Sequence, residues 1–118
     1  MTFAADAVIA LVALLHVYFL ALEMFWWDKP LGLRVFGMTP EQARATKALA
    51  ANQGLYNGFL AAGLLWGLSQ GAAGAQIKAF FLLCVLAAGV YGAATASLKI
   101  LYIQALPAAI GLALLWLA

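Results

Sequence analysis

Along this chain, apolar residues gather into four long runs separated by short polar stretches. The first lies between Asp6 and Asp28 and is broken only by Glu23. The second follows Lys47 and reaches Leu68, the third follows Lys78 and ends near Leu98, and the fourth fills Ile100 to Ala118. A helix needs about 20 such residues to cross the hydrocarbon core of a bilayer. A membrane barrel strand would instead alternate apolar and polar residues over about ten positions. These runs are apolar on all sides and rich in Leu and Ala, which favour helix. The pattern predicts an all-α, integral membrane four-helix bundle in a single domain, with helices over about 4–27, 40–68, 77–97 and 100–118.

The connections differ in character. Thr39-Pro40-Glu41-Gln42 has the form of a helix start, with Thr39 as N-cap, Pro40 at the first position and Gln42 closing a capping box. Leu31, Leu33, Val35 and Phe36 make the preceding stretch too apolar for a fully solvated loop, so it is expected to lie on the membrane surface or to fold over the cytoplasmic mouth. Ser69 to Gly74 is a flexible turn. No Gly or Pro separates the last two runs, yet one continuous helix from Ala79 would be about 60 Å long, so the chain must turn near Ala96 to Leu101. Pro107 is placed to kink the last helix. The first run has no basic residue before it, and Phe25-Trp26-Trp27 follows where a signal peptide would carry small residues, so it is read as a retained helix.

Composition sharpens this reading. The 118 residues are 68% hydrophobic and 8% charged, with mean hydropathy +1.04, whereas soluble domains carry about 25% charged residues. A soluble globule, a disordered tail and a nucleic-acid-binding surface are excluded. The net charge of +2 is unevenly placed. Lys29, Arg34, Arg44, Lys47 and Lys99 fall in the first and third connections, and Lys78 falls in the second. The positive-inside rule then puts the first and third connections in the cytoplasm and both termini outside. The lone Cys84 is read as a small core residue.

Polar side chains inside the runs are the candidate chemistry, because ionisable groups at membrane depth usually face a protein interior or a cavity. His16 and Glu23 are seven residues apart, on one helix face and about 10 Å apart along its axis. The second helix supplies Asn52, Gln53, Tyr56 and Asn57, the third Tyr91 and Thr95, and the fourth Gln104. With the predicted orientation all lie towards the cytoplasmic half. Two readings follow: a cytoplasm-facing pocket that binds a ligand or a proton, or interhelical hydrogen bonding that holds four short helices together. Gly54-x-x-x-Gly58, Gly63-x-x-x-Gly67 and Ala88/Gly92/Ala96 are small-residue seams, suited to intramolecular contact or to pairing with a second copy. No metal-ligand spacing, nucleotide loop or nucleophile motif is present, and neither cofactor nor metal is expected.

The run Leu15 to Trp26, followed by Lys29-Pro30, resembles the start of a bacterial family of small membrane proteins catalogued as domain of unknown function 1304. The resemblance continues through Val35-Phe36-Gly37, through Ala50-Ala51-Asn52-Gln53-Gly54-Leu55-Tyr56-Asn57-Gly58, through Ala88 to Gly92, and to Gln104 and Pro107-Ala108. It implies a small four-helix inner-membrane protein and no established activity.

The leading expectation for function is a small protein that binds or transports a small molecule with proton coupling through Glu23 and His16, in the bilayer and as a homo-oligomer. One alternative is a membrane-embedded enzyme acting on a lipid or terpenoid, with Glu23 and His16 as acid and base. The other is a structural or accessory subunit that holds a larger partner through its glycine seams.

Overall fold

The computed structural model describes residues 2–118, and among them every regular element is helical. Helix α1 spans Thr2–Met24. It stops where the Phe25 and Trp26 amides both donate to the Ala21 carbonyl, and a turn from the Lys29 N–H to the Trp26 carbonyl follows. The three aromatics after Met24 therefore lie in a turn.

The apolar stretch after that turn forms a short helix, α2, Pro30–Phe36. Its limits have local causes. Pro30 occupies the first turn, where its missing N–H costs nothing. Gly37 ends the helix in the left-handed conformation at φ 63°, its N–H returning to the Leu33 carbonyl. Gly32 is buried so closely against the Trp26 and Trp27 carbonyls that a methyl group has no room. The Trp27 and Phe36 rings pack with centroids 4.8 Å apart.

Helix α3, Pro40–Ser69, has 30 residues, or about 45 Å of rise. Its start is the reciprocal capping box: the Gln42 N–H donates to Thr39 Oγ1 at 3.2 Å, and the Thr39 N–H donates to Gln42 Oε1 at 2.9 Å. A turn at Gly71 (φ 57°) and a 3-10 segment, Gly71–Gly74, lead into α4, Ala75–Thr95.

The turn after α4 is made without Gly or Pro. Ala96 and Ser97 amides close on the Gly92 carbonyl. Ser97 Oγ then accepts from the Lys99 N–H, and the Ser97 carbonyl accepts from the Ile100 N–H, which starts the next helix. That helix opens with a π turn, Leu101–Ala105, before α5, Leu106–Leu117. Its wider ring, from the Leu106 N–H to the Leu101 carbonyl, immediately precedes Pro107. Proline has no N–H and its ring clashes with the carbonyl four residues back, so a locally widened helix accommodates it.

Contacts divide the chain into two compact units. One takes the chain up to Leu14 together with Leu60–Ala118; the other is Leu15–Phe59. The first has a core of Ile9, Val12, Ala13, Leu64, Leu82, Val85 and Ala108. Gly63 packs against the Phe81 ring and Gly67 against the Lys78 stem, so this glycine seam is occupied within the chain. The second unit holds the end of α1, all of α2 and the start of α3.

Two stretches are long and apolar enough to cross a membrane: Thr2–Met24 and Gly71–Thr95. Leu101–Leu117 is apolar but shorter. Helix α3 has the length, and the polar side chains of its middle lower its hydropathy.

Candidate functional site

The polar centre of the Leu15–Phe59 unit is a carboxylate bound to an amide. Glu23, in the last turn of α1, is 8% exposed, and Asn57 of α3 is 9% exposed. Asn57 Nδ2 donates to Glu23 Oε1 at 2.5 Å. Close approach of the two helices makes this contact. A Cβ on Gly54 would stand 2.6 Å from Met24 Cγ and 3.1 Å from Glu23 Cβ, and one on Gly58 would stand 2.7 Å from Leu20 Cδ1. Gly54 and Gly58 flank Asn57 on the same side of α3, so the absent side chains are what let its short amide reach the carboxylate.

A clasp beside this pair fixes the two helices. Trp27 Nε1 donates to Thr46 Oγ1 at 3.1 Å, and Lys47 Nζ donates to Asp28 Oδ2 at 2.9 Å. Consecutive residues after α1 thus hold consecutive residues of α3. The Lys47 hydrogen bond, opposed by some desolvation, holds the Asp28 carboxyl below its ordinary range.

The acidic residues separate by partner. Asp6 pairs with Lys78, Asp28 with Lys47 and Glu41 with Arg44. Glu23 takes the neutral amide of Asn57. An amide carries both a donor and an acceptor. Rotated one way, Asn57 donates to an ionised carboxylate; rotated the other, it accepts from a protonated one. A lysine or arginine in its place would serve the ionised form alone.

The remaining candidates fall in several places. His16 is buried two turns before Glu23 on α1, its ring edge-on to Phe19 at 5.3 Å. Asn52 is exposed and donates to the Ala48 carbonyl of its own helix at 2.9 Å. Gln53 is exposed, and Tyr56 is exposed beside Phe59. Tyr91, Thr95 and Gln104 belong to the other unit. There Thr95 Oγ1 donates to the Tyr91 carbonyl, both residues are exposed, and Gln104 is half-buried. Of the nine candidates, the structure therefore joins Glu23 and Asn57 by a side-chain hydrogen bond, with His16 buried on the same helix as Glu23. Among the described residues no group of three His, Cys, Asp or Glu side chains is placed to hold a metal ion.

One polar pair was not foreseen. Lys78 is 3% exposed, and its Nζ donates to Asp6 Oδ1 at 2.9 Å. The charge count sets Lys78 with the second connection, at the start of the helix expected over about 77–97, and it lies in the first turn of α4. The available signal was Gly67, whose missing side chain makes room for the Lys78 stem.

Comparison with known proteins agrees with the local patterns. The chain is 32% identical over 96 residues to the uncharacterized protein YpaA of Lactococcus lactis subsp. lactis (strain IL1403), covering 80% of this chain and 81% of that protein. No solved structure matches it. Residues 10–116 match the family described as "Protein of unknown function (DUF1304)". With nearly the whole length matched, the chain belongs to the DUF1304 family.

Proposed function

We propose that this protein is a multi-pass component of the bacterial inner membrane, with four spans and both termini outside. In this reading it binds or moves a small molecule in exchange for a proton at Glu23. The Glu23–Asn57 pair is the observation that carries the proposal. A carboxyl group among apolar residues gains or loses a full charge on titration, and in low-dielectric surroundings that difference is large. An amide partner serves both states. A carboxyl meant only to brace two helices is better served by a fixed cation, as the clasp at Asp28 and Lys47 shows a few residues away.

Other features support the membrane setting. Phe3, Leu14, Leu65, Trp66, Phe80, Leu83 and Trp116 are exposed, an apolar surface of the kind lipid covers. Trp26 and Trp27 follow α1 where an interfacial aromatic belt is expected. Lys29, Arg34, Arg44 and Lys47 cluster around α2, which supports a cytoplasmic position for that connection. His16, about 10 Å from Glu23 along α1, is the other ionisable side chain buried in that helix.

Purified protein in liposomes tests the proposal. Proton movement driven by a gradient of candidate solutes, screened as organic cations, anions and neutral amphiphiles, is expected in the wild type and absent in Glu23→Gln. Flux unaltered by that substitution refutes the assignment. Turnover of bilayer lipid without flux points instead to an enzyme.

A further inference from the structure

We propose that Leu49, Asn52, Gln53 and Tyr56 form the face of α3 on which two copies of this chain pair within the membrane, amide against amide. These positions follow the i, i+3, i+4, i+7 spacing of a single helix face. All four are exposed, Leu49 at 72% and Tyr56 at 60%. The glycines that a sequence reading offers for a dimer seam are used within the chain: Gly54 and Gly58 against α1, and Gly63 against Phe81.

The face is polar where lipid is the alternative neighbour. Among the described residues, neither the Gln53 amide nor the Tyr56 hydroxyl makes a hydrogen bond, and Asn52 uses only Nδ2, towards Ala48. Lys47, bonded to Asp28 and half exposed, marks the level of the headgroups. Gln53 lies six residues further along α3, about 9 Å deeper. Asn and Gln side chains are too short to reach back over that distance, and an amide facing hydrocarbon without a partner is costly.

The chemistry of the face selects the occupant. It carries no charge, so it offers nothing to a strongly acidic or basic partner. Its amides are self-complementary, each supplying a donor and an acceptor. A two-fold axis brings each residue of such a patch against the same patch of the second copy. Polar side chains buried between membrane helices are a recurrent device for holding them together. The inference rests on reading α3 as a span.

Cysteine cross-linking in native membranes tests both statements. In a Cys84→Ser background, Leu49→Cys and Gln53→Cys are expected to form disulfide-linked dimers on mild oxidation. Leu65→Cys, exposed on the opposite side of the same helix, is expected to form none. Gln53→Leu should lower the dimer fraction in diluted liposomes about 3- to 30-fold, the range measured for interhelical hydrogen bonds in membranes. Equal cross-linking at all three positions, or an unchanged dimer fraction, overturns the seam. So does cross-linking of Gln53→Cys to a different protein, or a stoichiometric lipid retained in its place. Labelling of Phe59→Cys, exposed and about 18 Å beyond Lys47 along α3, by a water-soluble maleimide overturns the span itself; protection of that cysteine without dimers overturns only the pairing.

Discussion

Asn57 of α3 donates its amide to the buried carboxylate of Glu23 at the end of α1, and a glycine on either side of Asn57 brings the two helices close enough for it to do so. Removing the amide leaves a buried acceptor without its donor. Asn57→Leu is expected to destabilise the protein by about 1–3 kcal/mol, and Glu23→Gln, which keeps a hydrogen-bonding group, by less. The Glu23→Leu/Asn57→Leu double variant should recover part of the loss, with a coupling of about 0.5–3 kcal/mol. Denaturant unfolding in detergent micelles of the wild type, Glu23→Leu, Asn57→Leu and the double variant closes the cycle; strictly additive losses would deny the pair any energetic link.

The Asp28–Lys47 bond makes part of the clasp depend on pH. Lys47 lowers the Asp28 carboxyl below the model-peptide value of 3.8. A depressed acid contributes stability above its unfolded pKa, and the contribution is lost as pH falls through the folded pKa. The clasp should therefore hold from neutral pH down to about pH 4 and loosen below it. The exposure of Lys47 makes the effect small and sensitive to salt. Lys47→Met should move the Asp28 carboxyl resonance back towards ordinary titration in an NMR experiment; an identical curve would show that the ion pair does not form in solution.

Asp6 and Lys78 tie the first helix to the fourth. Lys78 is almost fully buried and also lies 3.5 Å from the Gly71 carbonyl. Asp6→Asn removes the countercharge and should lower stability by about 1–3 kcal/mol. Asp6→Leu combined with Lys78→Leu should lose less than Asp6→Asn alone, because no uncompensated charge stays buried. Thermal unfolding followed by circular dichroism distinguishes these orders.

Two glycines should respond differently to the same methyl group. At Gly89 a Cβ meets the Ala105 backbone, with N at 2.6 Å and Cα at 2.8 Å. At Gly58 it meets the far end of the Leu20 side chain, which can rotate away. Gly89→Ala is expected to cost about 1–3 kcal/mol and Gly58→Ala clearly less. Equal losses in an unfolding series would mean that the π turn does not rest on α4.

Features with local causes were legible in the chain. Thr39, Pro40 and Gln42 announce the start of α3 because a capping box involves only neighbouring residues. Glu23 stands out as the acid inside an apolar run. Its partner was one of four polar residues on the next helix. The choice of Asn57 depends on how α3 is rotated about its axis, which Gly54 and Gly58 settle through contacts 30 or more positions distant in sequence. The same kind of separation hides the Asp6–Lys78 pair, since its members are 72 positions apart in sequence. Helix α2 was open to a closer reading: Pro30 and Gly37 bracket it with the residues that favour a first turn and a left-handed end. The apolar side chains between them suggested a surface segment and concealed its helical form.

The central claim is that Glu23 changes its protonation state against an amide able to serve both forms. Difference infrared spectroscopy across an acid titration, on the purified protein in lipid, measures this directly. The account predicts a carboxylic C=O band that titrates in the wild type, disappears in Glu23→Gln, and shifts in frequency in Asn57→Leu as the hydrogen bond is lost. A band identical in all three proteins would contradict it.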